Sequence, residues 1–272
     1  MDRISEAAEA IVSARRSRSP LGVLPASLRP QGEAEAYRIQ EAVHERLTAS
    51  GWGSLVGYKI GCTTPVMQQY LGIETPCAGG VFAGSVHSSG VTLDRGALLR
   101  VGVECEIAVR LGRDLPLSDA PFTTEVVSQV IASYMAAIEI VDDRYVDWRQ
   151  TDTPTLIADD FFAAACVLGE AVDRDAAPDL PDVVGRTFIN GIEVARGIGA
   201  DVMGHPHAAL AWLANNLAGR GKTVRAGQIV LTGSLVQTVW LAPDDQVDVV
   251  ASGLGRVSLS LRGGAALRGG AA

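Results

Sequence analysis

The chain has 272 residues, 47% of them hydrophobic and 20% charged, the composition of a protein that can bury a sizeable core. A net charge of −8 with no compensating basic stretch argues against nucleic acid or an anionic membrane surface as partner. Four scattered cysteines without CxxC spacing argue against a zinc site or disulfide framework; with no apolar leader and no apolar run of the ~20 residues that span a bilayer, the expected location is cytoplasmic.

Taken in chain order, residues 2–16 are alanine-rich with Ile4, Ala8 and Ile11 at helical spacing. A Ser/Pro-containing connector over residues 17–30 leads to a second helix over residues 33–48, whose stripe is Ile39, Val43 and Leu47. Residues 1–50 are thus read as a helical N-terminal segment. From Gly51 the pattern changes to short apolar segments: strands are expected at residues 55–60, around Val81-Phe82, and most clearly at 101–111. A helix beginning at Pro121 carries Val127, Val130, Ile131 and Tyr134 on one side and is expected to become a strand near Ala137. Asn190-Gly191, between two alternating runs, predicts a hairpin with a type I′ turn. A helix over residues 206–217, ended by Gly219, precedes strands at 228–231, 246–250 and 256–261. Residues 51–262 therefore read as a mostly antiparallel β-rich domain, giving an α+β protein overall. Residues 263–272 read as a low-complexity, disordered tail.

The chemistry concentrates in the strand Val101-Gly-Val-Glu-Cys-Glu-Ile-Ala-Val-Arg-Leu111. Glu104 and Glu106 lie two apart and share one face, while Val103, Cys105 and Ile107 face the other way. Glu139 sits alone among apolar neighbours in Ile138-Glu-Ile-Val141. Carboxylates in apolar segments are costly unless neutralised, and three converging would suit a hard divalent cation. The alternative is an ordinary alternating strand whose glutamates face water. Lys59, within Gly57-Tyr-Lys-Ile-Gly61, is either a cation beside a bound anion, able to shuttle a proton if its pKa is lowered, or a lysine reaching out from an edge strand. The Thr232-Gly-Ser234 strand end can bring backbone N–H groups and a hydroxyl to a carboxylate.

Together, Gly57-Tyr-Lys-Ile-Gly-Cys-Thr-Thr-Pro-Val-Met-Gln68, Leu71-Gly-Ile73, Glu104-Cys-Glu106, Ile138-Glu-Ile-Val-Asp-Asp-Arg144 and Val230-Leu-Thr-Gly-Ser-Leu235 resemble the 2-keto-4-pentenoate hydratase/4-oxalocrotonate decarboxylase family of the fumarylacetoacetate hydrolase superfamily. The likeness runs from about residue 30 to residue 262. It implies a β-rich sandwich-like roll with a helical N-terminal segment, assembled as a dimer or ring of dimers. It further implies Glu104, Glu106 and Glu139 as ligands of Mg²⁺ or Mn²⁺, Lys59 as the active-site lysine, and Thr63 and Ser234 as substrate-binding residues. The activity implied is hydration of a small unsaturated 2-oxo or 2-hydroxydienoic acid. The alternatives are 4-oxalocrotonate-type decarboxylation, acylpyruvate hydrolysis, and a non-catalytic partner subunit.

Two departures stand out. Cys77 occupies a place where many of these hydratases carry an aspartate that pairs with the lysine. Phe161 and Phe162 follow Asp159-Asp160 where small residues are usual, and either reshape the pocket or pack in the core. Asp142, Asp143 and Arg144 either supply polar groups to the site or form an ion pair beside it. His44, His87, His205 and His207 form no pattern and read as surface residues.

Overall fold

The computed structural model describes residues 2–263, so all but the first residue of the expected tail lies outside the described residues. Two helices open the chain, α1 (Arg3–Ser17) and α2 (Glu33–Leu47), packed on each other through the stripes read from the sequence. The Asp2 carboxylate caps α1 by accepting from the Ser5 N–H at 2.8 Å. Next come β1 (Leu55–Gly61), α3 (Pro65–Leu71), β2 (Cys77–Phe82), β3 (Val86–Ser88), β4 (Val91–Asp94) and β5 (Val101–Leu111). The middle of the chain forms α4 (Thr124–Val130), β6 (Ile131–Asp142), α5 (Thr153–Ala158), β7 (Ala163–Leu168) and β8 (Val172–Asp173). The hairpin of β9 (Val184–Ile189) and β10 (Ile192–Ile198) turns at Asn190-Gly191, both with positive φ as a type I′ turn requires. Helix α6 (Pro206–Ala218) and strands β11 (Ile229–Ser234), β12 (Val239–Trp240), β13 (Gln246–Ala251) and β14 (Gly255–Arg262) complete the described chain.

The strands form two sheets. The larger runs β2-β1-β11-β5-β6-β7-β3, with β12 added beside β5 and β8 beside β6; the smaller runs β10-β9-β13-β14-β4. Most pairs are antiparallel, but β1/β11, β3/β7 and β4/β14 are parallel. The α+β expectation holds. One boundary does not: the helix after Pro121 ends at Val130, and Ile131 and Tyr134 already lie in β6. The sheet decides this, because β5 pairs with β6 along its whole length, Leu111 opposite Ile131. No local propensity outweighs such a ladder.

The larger sheet curls until β2 lies against β7, although the two are not paired. Its inner face carries a small apolar cluster of Val81, Ala108, Met135, Ala137, Cys166, Leu168, Ile229 and Leu231. Its outer face, with Ile60, Cys105, Ile107, Ile138 and Val230, joins one large core with α1, α2 and the smaller sheet. The roll needs β1 to approach β11 closely at Gly57, where a Cβ would lie 2.0 Å from the Ile229 carbonyl oxygen. Gly57→Ala is therefore expected to separate the parallel pair and cost about 1–3 kcal/mol or more. Thermal unfolding should show a fall of roughly 2–4 °C for each kcal/mol, and an unchanged melting temperature would contradict this account of the roll.

Candidate metal centre

The strand register brings the three acids together. Glu104 stands directly opposite Glu139 across the β5/β6 pair, and Glu106 opposite Ala137. Directly opposed residues share a face, so all three carboxylates point to the inside of the roll. One oxygen from each lies within 4.8 Å of the others. Glu106 and Glu139 are fully buried, which overturns the reading of a water-facing strand.

Lys59, on the neighbouring strand pair, meets this cluster from the side. Its Nζ donates to the Phe161 carbonyl at 2.9 Å and lies 3.1 Å from Glu139 Oε1. The second contact is an ion pair without hydrogen-bond alignment, so both oxygens of Glu139 and Oε1 of Glu106 have no hydrogen-bond partner among the described residues. The remaining oxygens are oriented by β11 and the segment after it. The Gly233 N–H donates to Glu106 Oε2 at 2.8 Å, and the Thr238 hydroxyl donates to Glu104 Oε1. Gly233 is required here: its φ is +117°, and a Cβ would lie 2.6 Å from Thr63 Cγ2.

The electrostatics follow from one ammonium facing three carboxylates, which leaves the cluster two charges short of neutrality. Burial, followed by the charge of Glu139, raises the Glu104 pKa to about 7, against the opposing pull of Lys59 and Thr238. Burial and its two acidic neighbours hold the Glu106 carboxyl well above the usual range, with the Gly233 N–H working the other way. Burial alone would lower the Lys59 pKa, but Glu139, Glu104 and Glu106 override it and raise the value. Without a cation in the cluster, then, Lys59 is a fixed ammonium, opposite in sign to the lowered pKa considered from the sequence. Orphaned buried oxygens, an all-carboxylate donor set and a deficit of two positive charges together fit a hard divalent cation.

Ser234 pairs with Glu106 across β11/β5, and its hydroxyl donates to the Val236 carbonyl at 2.7 Å. Thr63 is buried against Gly233. Cys77 pairs with Gly61 on the face that carries Lys59, but its thiol engages Cys62; that contact and burial push its pKa up, so it remains a neutral thiol. Phe161 is buried with its ring centre 5.8 Å from Lys59 Nζ, so it both packs and shapes the pocket. Asp142 accepts from the Leu99 and Arg100 N–H groups and Asp143 pairs with Arg100, which makes them structural.

Several contributors were not legible locally. Asp159 precedes, and Asp160 begins, a run of three consecutive positive-φ positions at Asp160, Phe161 and Phe162, each costing on the order of 1–3 kcal/mol. Arg15, Arg144, Tyr145 and His44 bind the two acids. His44 is thus not a free surface histidine: its Nε2 lies 2.6 Å from Asp160 Oδ1. Two signals pointed here, a charge at Arg15 on the apolar stripe of α1 and the presence of only two lysines, Lys59 and Lys222, in the whole chain.

Comparison with known proteins is consistent with this geometry. The family model of the fumarylacetoacetate (FAA) hydrolase C-terminal domain matches residues 82–262. A 2-keto-4-pentenoate hydratase of Paraburkholderia phymatum is 35% identical over 262 residues, covering 95% of this chain and 97% of the relative. A 2-hydroxyhexa-2,4-dienoate hydratase of Comamonas testosteroni is 33% identical over 227 residues, covering 83% and 84%. Among solved structures, 4-oxalocrotonate decarboxylase from Pseudomonas putida G7, complexed with magnesium and adipate, is similar with a TM-score of 0.89 at 29% identity, covering 96% of this chain and 98% of that one.

The raised carboxyl pKa values set a pH dependence. Folded Glu104 holds its proton up to about pH 7, whereas the unfolded carboxyl releases it near 4.5. Between those values the folded state binds more protons, so stability falls as pH rises through the window. In EDTA the melting temperature should therefore drop between pH 5 and pH 7.5, and a saturating divalent cation should abolish that drop. A melting temperature flat across this range in EDTA would count against the carboxylate cluster.

Proposed function

The chain belongs to the 2-keto-4-pentenoate hydratase family of the fumarylacetoacetate hydrolase superfamily, and on that premise we propose that it is a divalent-metal-dependent hydratase of a small unsaturated 2-oxo or 2-hydroxydienoic acid. One observation carries the reading: three carboxylates, two of them fully buried and carrying oxygens without a hydrogen-bond partner among the described residues, converge beside a buried lysine. Glu104, Glu106 and Glu139 would hold the cation, Mg²⁺ or Mn²⁺. When bound, it supplies a Lewis acid that stabilises enolate charge on the substrate. Every other role belongs to the chain. Lys59 presents an N–H at the edge of the pocket, anchored by the Phe161 carbonyl, and moves the proton that the substrate carbon gains or loses. A divalent cation would offset two of the three carboxylate charges that raise its pKa, so burial, which lowers it, would weigh more heavily. Thr63 and Ser234 stand beside Gly233 and Glu106, where they can orient the substrate carboxylate. The apolar inner wall would limit the access of bulk water to a substrate bound there.

A second reading, decarboxylation of a 2-oxo dicarboxylic acid, has one observation in its favour. Position 77 offers a neutral thiol beside Cys62 where the hydration reading wants a carboxylate to place water. Loss of CO₂ uses the same electron sink without a positioned water. Free thiols at all four cysteines suit a reducing, cytoplasmic setting. The exposed Ile192, Val194 and Ile198 on edge strand β10 support assembly as a homo-oligomer.

With Mg²⁺, the protein should consume the dienol absorbance of 2-hydroxypenta-2,4-dienoate, and EDTA should abolish the reaction. Lys59→Met should lower kcat by roughly 10²–10⁴ while the divalent-cation affinity holds. Release of CO₂ from 2-oxohex-3-enedioate without dienol hydration would select the second reading, and inertness towards both substrates would sink the two together.

A further inference from the structure

We propose that Arg15, on the N-terminal helix α1, is a positioning residue for Lys59, acting through the left-handed segment at residues 160–162. The inference rests on the role given to Lys59 above.

Among the described residues Lys59 Nζ has one aligned hydrogen-bond acceptor, the Phe161 carbonyl at 2.9 Å, beside its ion pair with Glu139 at 3.1 Å. With Glu139 fixed in the sheet, where that carbonyl stands helps to set where the ammonium points. The carbonyl belongs to three consecutive non-glycine residues with φ of +56°, +50° and +67°, a run that L-residues keep only when the surroundings hold it. The surroundings are two guanidinium groups. At the N-terminal end of the segment, Arg15 Nε donates to Asp159 Oδ1 at 2.5 Å, and Nη2 donates to the Asp159 carbonyl at 2.7 Å and to Asp160 Oδ2 at 3.0 Å. At the C-terminal end, Arg144 Nη1 donates to the Phe162 and Ala163 carbonyls at 3.1 and 2.9 Å. Arg144 also reaches the N-terminal end, where Nη2 donates to the Asp159 carbonyl at 2.8 Å, so Phe161 lies between ends that Arg144 spans and Arg15 anchors. His44 Nε2 and the Gly80 N–H complete the grip on Asp160 Oδ1, at 2.6 and 2.9 Å.

Arg15 is the member of this clamp that comes from farthest away, 144 residues from Asp159. It also reaches the pocket wall. A cavity of about 10 Å³ in the seam between unpaired β2 and β7 is lined by Arg15, Trp52, Lys59, Ser85, Glu139 and Ala165, among others. The guanidinium fork suits this task because it bridges both aspartates and a carbonyl at once, which a single ammonium cannot do. The N-terminal helix is thereby part of the catalytic apparatus, not only a cover for the outer face of the roll.

Because the chain contains only Lys59 and Lys222, ¹⁵N-lysine labelling in a Lys222→Arg background leaves one side-chain ammonium to observe. In the metal-free protein its signal should be protected from solvent exchange. Arg15→Gln should shift that signal and speed its exchange, and should lower kcat on the dienoate about tenfold or more while KM and the Mn²⁺ dissociation constant stay within about twofold. Ile11→Val, a core truncation one turn away on the same helix, should leave the signal and kcat in place even though it costs stability. Should Arg15→Gln fail to fold, Arg15→Lys keeps the charge but not the fork and should show the same shift in weaker form. An unchanged Lys59 signal and unchanged kcat in either folded variant overturn the proposal, as do equal losses in Ile11→Val. If the wild-type protein turns over neither substrate, the functional reading fails on its own and the lysine signal still decides the clamp.

Discussion

Three carboxylates forced together inside an apolar roll set the terms for everything else in this protein. Glu104, Glu106 and Glu139 cannot move apart, because strand pairing holds Glu104 opposite Glu139 and the β alternation holds Glu106 on the same face. Two of the three, Glu106 and Glu139, are also shut off from water, while Glu104 is partly buried. Like charges so confined either stay protonated or gather positive charge. The described residues supply one ammonium, one backbone N–H and one hydroxyl, and leave three oxygens with no hydrogen-bond partner among them. Such a cluster is unfavourable as a structural device and reasonable as the holder of a doubly charged ion.

The fold is arranged to make that confinement possible. Rolling the larger sheet needs an unobstructed approach at Gly57, and the Thr63–Gly233 contact needs a residue without a side chain. The inner wall is built from small or slender side chains such as Ala108, Ala137 and Cys166, so the charged groups have room among them. The seam between β2 and β7 is the weak point of the roll. There the aspartate pair and its guanidinium clamp stand, so the largest concentration of buried ion pairs serves the place where the sheet provides no hydrogen bonds of its own.

Much of this was readable from residues alone, for a physical reason. A strand's two-residue period makes Glu104 and Glu106 neighbours on one face, and Asn190-Gly191 favours one turn geometry regardless of context. Residues 101–111 form the strand expected of them. What could not be read depends on distant partners. Val127, Val130, Ile131 and Tyr134 form a helical stripe, yet the last two serve a strand because β5 is long enough to claim them. His44 looks isolated until Asp160, 116 residues later, is brought to it. Phe161 drew notice for its ring, while its carbonyl, which no sequence pattern reveals, is what holds the lysine.

The claim beneath the whole account is that the trio binds a divalent cation, and Mn²⁺ titration followed by electron paramagnetic resonance tests it most directly. The wild-type chain should take up one Mn²⁺ per subunit, displaceable by Mg²⁺, and a chain carrying both Glu106→Gln and Glu139→Gln should bind none while remaining folded. Equal Mn²⁺ uptake by the folded double variant, or no uptake by the wild type, would contradict it.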